Sequence, residues 1–206
     1  QIAQSGLITI NFSLNSIKNP SIHDKSRGVS GSYDKVIAVI TKLKEIIKQK
    51  NAALKINIST IMFPENLDEI IPLVEFVKEQ ELSGISIQLV EDINSFHGYN
   101  EIRSVESLDY LMPSQLKEIY NQIGEKGISV INQLIEMKKS GNSHIENSIE
   151  MLEAMKLMLQ DPSEVIRQIP CVVGEKNIAV DPYGEVRLCF NMSPIGNVLD
   201  NSLSTL

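Results

Sequence analysis

The chain has only two cysteines, Cys171 and Cys189, and their setting makes them the first candidates for chemistry. Seventeen residues lie between them, far more than the roughly two to four usual between paired zinc ligands. Between them an apolar run breaks at Asp181-Pro182-Tyr183-Gly184 and resumes at Val186. This reads as a hairpin, because Pro presets φ and Gly supplies a positive φ where a turn needs them. The turn lays the arms side by side and returns Cys189 toward Cys171. A thiolate is a soft metal ligand, so a pair brought back together by a hairpin is a candidate for metal chemistry. The competing reading is a hairpin with two small buried thiols, since free Cys is among the most buried residues.

Other polar groups carry less. His23-Asp24 can be read as a base with its partner, yet a His-Asp pair in a loop is more often a cap or a turn element. His97 and His144 have no second His or Cys at ligand spacing, and no metal is assigned to them. Gly28-x-x-Gly31 lacks the Lys-Ser/Thr of a phosphate loop.

Elements must bring such groups together. Leu7–Ser13 reads as a strand and ends in a polar loop, Asn15 to Gly31. Ser32 or Asp34 caps a helix with Val36, Ile37, Ile40, Leu43 and Ile47 on its apolar side, ending near Asn51. A second strand covers 54–62, and Pro64 makes the turn. Asn66 with Glu69 forms a capping box for a helix burying Ile70, Leu73, Val74 and Val77. Pro72, which inside a helix costs about 3 kcal/mol, predicts a kink or a late start there. A third strand runs through 85–90, opened by Gly84.

Strand, helix, strand, helix, strand predicts a parallel sheet with right-handed crossovers. Chemistry then gathers at the carboxyl ends of the strands, at Ser13 to Asn15, Thr60 to Phe63 and Gln88 to Asp92. Residues 92–112 read as a long loop over a site. Ser114 to Lys139 is a long helix weakened by Gly124 and Gly127, and a further helix runs from about Ser143 to Gln160.

At 206 residues with a net charge of −7, and with no extended Lys/Arg cluster, a nucleic-acid face is excluded. No apolar run reaches the roughly eighteen residues of a membrane span, and no signal peptide is recognisable. Two cysteines make no disulfide framework, so a cytoplasmic, reducing home is expected. The chain opens on Gln1 directly before a strand and stops at Leu206 inside a continuing element, so it reads as a fragment truncated at both ends.

Two motifs in collinear order carry a resemblance. The first is Ser13-Leu14-Asn15-Ser16, then His23-Asp24, Arg27-Gly28 and Gly31 before a helix. The second is C-x12-G-x4-C from Cys171 to Cys189, closed by Ile195-Gly196-Asn197. Together they resemble radical SAM superfamily enzymes with a SPASM/Twitch-type auxiliary iron–sulfur domain. The resemblance implies an α/β fold: the C-terminal half of a partial (β/α)6 TIM-like barrel over 1–160, then a β-hairpin from a truncated SPASM/Twitch domain over 161–206. It implies that Cys171 and Cys189 ligate an auxiliary [4Fe–4S] cluster. By the same resemblance Ser13 and Arg27 hold the methionyl carboxylate of S-adenosylmethionine, since a guanidinium forks onto a carboxylate and a hydroxyl adds a donor. Asn15 departs from the Asp usual in the family.

The parent enzyme would draw on an external electron donor. Its substrate stays open, a peptide among the candidates. The CxxxCxxC motif of the reactive cluster is absent here and lies upstream of this region in the family, so this fragment alone should be inactive. Two other readings stand beside this one. One is a different α/β enzyme that binds a small ligand at its strand ends with structural cysteines; the other is a non-catalytic peptide-binding module. If upstream neighbours are missing, the first strand presents an unpaired, apolar edge.

Overall fold

The structure, a computed structural model, describes residues 8–90, 114–160, 178–181, 183–188, 193–200 and 202. The chain divides into two compact units, one spanning 1–90 and 118–162, the other 91–117 and 163–206.

In the first unit, β-branched runs form β1 (Thr9–Ser13), β2 (Lys55–Met62) and β3 (Gly84–Leu89), a parallel sheet in the order β1-β2-β3. The expected α/β class with a small parallel sheet is what the chain adopts. Sequential parallel neighbours joined by crossovers of one hand put the crossover helices on one face. That face buries Ile56, Ile58, Thr60 and Met62 of β2 with Ile85, Ile87 and Leu89 of β3. Each full burial of such an aliphatic side chain is worth about 1.5–3 kcal/mol, so this is the face that holds sheet to helices.

The segment after β1 is not all loop. Pro20–Arg27 forms a helix, α1, with Asn19 as its side-chain cap, Pro20 at its first position and Gly28 at φ 66° closing it. The cap, the proline and the glycine were all in the sequence. In α2 (Ser32–Lys50) neither Ser32 nor Asp34 caps; Gly31 occupies that position. Instead Asp24, reaching from α1, accepts from the amides of Gly31 (2.6 Å) and Tyr33 (2.9 Å) and from the Ser32 hydroxyl (3.0 Å). After β2 comes a 3-10 turn, Pro64–Glu69, then α3, Ile70–Glu79. Pro72 is thus in the first turn, where its missing N–H is not needed, and the late start is the outcome.

The long helix α4 (Ser114–Lys139) is kinked at Gly124, where φ is 41° and ψ −142°. The next helix, α5, begins at Ile149 and ends at Gln160 rather than starting near Ser143. Residues 144–147 instead line the outer edge of β3. Ile85 donates to the His144 carbonyl (2.8 Å), and Glu146 donates to the Ile85 carbonyl (2.9 Å). Asn147 prolongs this pairing with its side chain, accepting from the Ile87 amide and donating to the Ile87 carbonyl, both at 2.8 Å. A carboxamide has the same donor and acceptor as a peptide group, so the ladder continues through a side chain. At the other edge, β1 pairs with β2 alone among the described residues, and Ile8 before it is 72 % exposed.

In the second unit the expected hairpin forms: β4 (Ala179–Val180) runs antiparallel to β5 (Glu185–Arg187), and β6 (Gly196–Asn197) adds a third strand. Asp181 Oδ1 accepts from the amides of Tyr183 (2.8 Å) and Glu185 (2.9 Å). Gly184 sits at φ 85°, and a Cβ there would lie 2.6 Å from Asn197 Oδ1, so the turn requires glycine twice over. Buried Arg187 pairs with Glu185.

Candidate functional site

The sheet's second face is polar. Side chains alternate across a strand, so Asn11 and Ser13, Asn57 and Ser59, and Gly84 and Ser86 share the side opposite the buried aliphatics. The register aligns them: Ser13 stands opposite Ser59 and Ser59 opposite Ser86; Asn11 stands opposite Asn57 and Asn57 opposite Gly84. One layer of three hydroxyls and one of two carboxamides therefore cross the sheet. Ser13 and Asn11 are exposed, and Ser59 and Ser86 are half-buried. None of the three serine hydroxyls makes a hydrogen bond among the described residues. Parallel sheets normally bury both faces, so a hydroxyl-lined one is suited to polar contents rather than to packing.

Glu146 completes this face. Its carboxylate accepts from Asn57 Nδ2 at 2.5 Å, and its side chain runs over Gly84, where a Cβ would come within 2.8 Å of it. Asn57 is 9 % exposed, and its Oδ1 has no partner.

At the strand ends lies a second polar group, and it is closed. Asn15, Ser16, His23, Thr60, Asn66 and Glu69 are all buried. Asn15 Nδ2 donates to Ser26 (2.8 Å), while its Oδ1 accepts from Thr60 (3.3 Å) and from the Ile61 amide (3.2 Å). Asn66 donates to the carbonyls of Asn15 (3.0 Å) and Ile61 (2.7 Å) and accepts from the Phe63 amide (2.8 Å). Glu69 does not fold back on Asn66 as a capping box would. One of its oxygens accepts from the amides of Ile17 and Lys18, each at 2.8 Å, and so ties the loop after β1 to α3.

His23 belongs to this brace. The Asn15 amide donates to its Nδ1 (3.2 Å), which leaves the ring proton on buried Nε2, an atom without a partner. Burial first, then the Arg27 charge, push the imidazole below its ordinary 6.5, against an upward pull from Asp24. A neutral, enclosed ring of this kind holds the loop rather than moving protons. Asp24 is held below its ordinary 3.8 by the Tyr33 and Gly31 amides, so it caps α2 instead of serving His23 as a catalytic partner.

Of the residues expected to hold a carboxylate, Ser13 lies on the polar face at the carboxyl end of β1 and Arg27 ends α1; both are exposed. No hydrogen bond or ion pair joins them, and Arg27 has no ion-pair partner among the described residues, Asp24 included. Asn15 acts as both donor and acceptor, which an ionised Asp would not do, and this accounts for the amide at that position. Cys171 and Cys189 lie outside the described residues, as does the loop expected over 92–112. Among the described residues no three His, Cys, Asp or Glu side chains are placed to hold a metal ion, and no helix is long and apolar enough to cross a membrane.

Sequence reasoning passed over Asn57, Ser59, Ser86 and Glu146. The signal was a repeated tripeptide, Asn11-Phe12-Ser13, Asn57-Ile58-Ser59 and Gly84-Ile85-Ser86, at equivalent strand positions. A cleft of about 620 Å³ opens at the opposite end of the sheet, floored by Leu54, Ile56 and Leu82 and rimmed by Lys44, Gln80 and Glu81. It is remote from the strand carboxyl ends, and its charged rim carries both signs. Comparison with protein-family models, with curated proteins and with solved structures gives no match.

Proposed function

We propose that this chain is part of a radical SAM enzyme: the C-terminal half of a partial (β/α)6 barrel, with the first hairpin of a SPASM/Twitch domain after it. The observation that carries the reading is the polar face of a parallel sheet whose strands follow one another in chain order. A doubly wound sheet reverses its order and covers both faces. A barrel wall keeps sequential order, with helices on its outer side and its other side turned inward. That β1 pairs with β2 alone among the described residues agrees with this reading, because a barrel closes only when such an edge is paired.

The residues fit the groups the resemblance implies. Arg27 is a guanidinium with no ion-pair partner among the described residues, able to fork onto the methionyl carboxylate, and Ser13 offers a hydroxyl from the carboxyl end of β1. In the sequence Cys171 and Cys189 flank the hairpin turn at Asp181–Gly184, and soft thiolates in such a setting suit an auxiliary [4Fe–4S] cluster. In this reading the bound groups supply the reductive cleavage of S-adenosylmethionine to a 5′-deoxyadenosyl radical, with electrons from an external donor. This chain's own share is to hold the carboxylate, line the cavity wall with neutral hydroxyls and keep water out. A cytoplasmic, reducing setting goes with such chemistry.

The test is made on the full-length parent, purified without oxygen. Iron and sulfide are expected to fall by one cluster's content in Cys171→Ala and Cys189→Ala, and 5′-deoxyadenosine is expected to form when a reductant is added. Unchanged iron in both variants would overturn the auxiliary-site assignment. Absence of 5′-deoxyadenosine from iron-replete parent would overturn the enzyme class and leave a small-ligand or peptide-binding protein.

A further inference from the structure

Glu146 is placed by two independent features. Asn57 donates to its Oε1, and glycine at position 84 leaves the groove its side chain crosses. Its residue is exposed and its other oxygen has no partner among the described residues. The donated bond fixes the Asn57 amide, whose Oδ1 is a buried acceptor with no donor among the described residues. Such an acceptor is costly to leave unmatched. Asn11, exposed, stands beside Asn57 in register and adds a third carboxamide or carboxylate group to the layer. Lys55 shares this face one layer away and makes no ion pair with Glu146 among the described residues.

We infer that the Asn11–Asn57–Glu146 layer binds an alkyl primary ammonium group. An ammonium has three N–H donors and one positive charge. The layer offers oxygen acceptors on two exposed side chains, Asn11 and negatively charged Glu146, beside the buried and unmatched Oδ1 of Asn57. A hard divalent cation fits less well, because it takes about six to eight oxygens and usually several carboxylates, and here there is one. An anion is repelled by Glu146. The site lies nearer the amino ends of the strands than Ser13 does, so it is separate from the carboxylate-holding groups proposed above. It does not require any cluster to be present.

The experiment titrates n-butylamine, n-butanol and tetramethylammonium into the chain and follows the backbone amides of Asn57, Gly84 and Glu146 by nitrogen-15 NMR. Butylamine is expected to give saturable shifts at these amides. Butanol lacks the charge and tetramethylammonium lacks the N–H donors, so both should give none. Glu146→Gln keeps the shape and the Asn57 bond but removes the charge, and is expected to weaken butylamine roughly 10- to 100-fold. Asn11→Ala, at an exposed position that tolerates change, should weaken it about 2- to 10-fold. Equal shifts with tetramethylammonium, saturable binding of butanol, undiminished affinity in both variants, or no saturable shift with butylamine would each overturn the inference.

Discussion

The loop brace around Asn15 and the polar face around Ser59 belong to the same sheet, and both draw on Ser, Asn and one Glu, to which the brace adds Thr60 and His23. In the brace the amides of Ile61 and Phe63 and the carbonyls of Asn15 and Ile61 are consumed by the side chains of Asn15 and Asn66, and Glu69 takes up two further backbone donors. On the polar face three hydroxyls and one amide oxygen have nothing within the described residues to bond. The difference separates two uses of polarity. Buried groups whose partners are internal fix a chain path, and their removal leaves orphaned donors in low dielectric. The exposed and half-buried hydroxyls are satisfied by water and are free to exchange it for a ligand. His23-Asp24, the pair that looked most like catalytic machinery in the sequence, falls in the first class.

This contrast is open to attack at three levels. The largest effect is expected from Asn66→Ala, which orphans the Phe63 amide and the carbonyls of Asn15 and Ile61. A loss of roughly 2–4 kcal/mol should appear as a lower urea midpoint at unchanged slope. A loss no larger than that of a surface substitution would show that the brace is dispensable.

Next in size is a pH effect centred on His23. Its folded pKa is lowered below 6.5 by burial, so above that pH the ring is neutral in both states and its contribution is fully present. As pH falls below 6.5 the unfolded ring takes up its proton first, and stability drains away until the folded pKa is passed. Urea midpoints should therefore decline as pH falls below 6.5, with a flatter profile in His23→Gln. Asp24 acts in a lower window. Its folded pKa is held below 3.8, so its contribution is present above 3.8 and is lost as pH falls through the depressed value. A His23→Gln profile superimposable on the parent's would remove the ring from the brace.

The smallest effect belongs to the open face. Ser13→Ala and Ser86→Ala remove hydroxyls that bond nothing internal, and thermal unfolding should move by no more than the equivalent of about 0.5 kcal/mol. A large loss from either would mean that the face is a packing surface after all.

Much of the first unit was legible because its signals are short-range. The β-branched runs at 9–13, 55–62 and 84–89 declare strands, and Gly124 and Pro72 each set a local backbone event. Asp181 to Gly184 carries its own turn chemistry. Helix α1 was equally legible from Asn19-Pro20 and Gly28, but its polar composition masked it. The capping assignments for Ser32 and Glu69 failed for a different reason. Local pattern named a partner three residues away, whereas the carboxylates found better-placed amides across the fold, Asp24 at the start of α2 and Glu69 at Ile17 and Lys18.

By itself, then, the sequence determined which segments are strands and helices, their order and where each turns, because φ/ψ preference and apolar period act over a few residues. Only the tertiary structure decided that Ser13, Ser59 and Ser86 form one row, that Asn15 bonds residues some 45 positions on, and that Asn147 extends the β3 edge. Register and long-range amide pairing depend on which surfaces meet. No local stretch of chain carries that information until the sheet has closed around its apolar side.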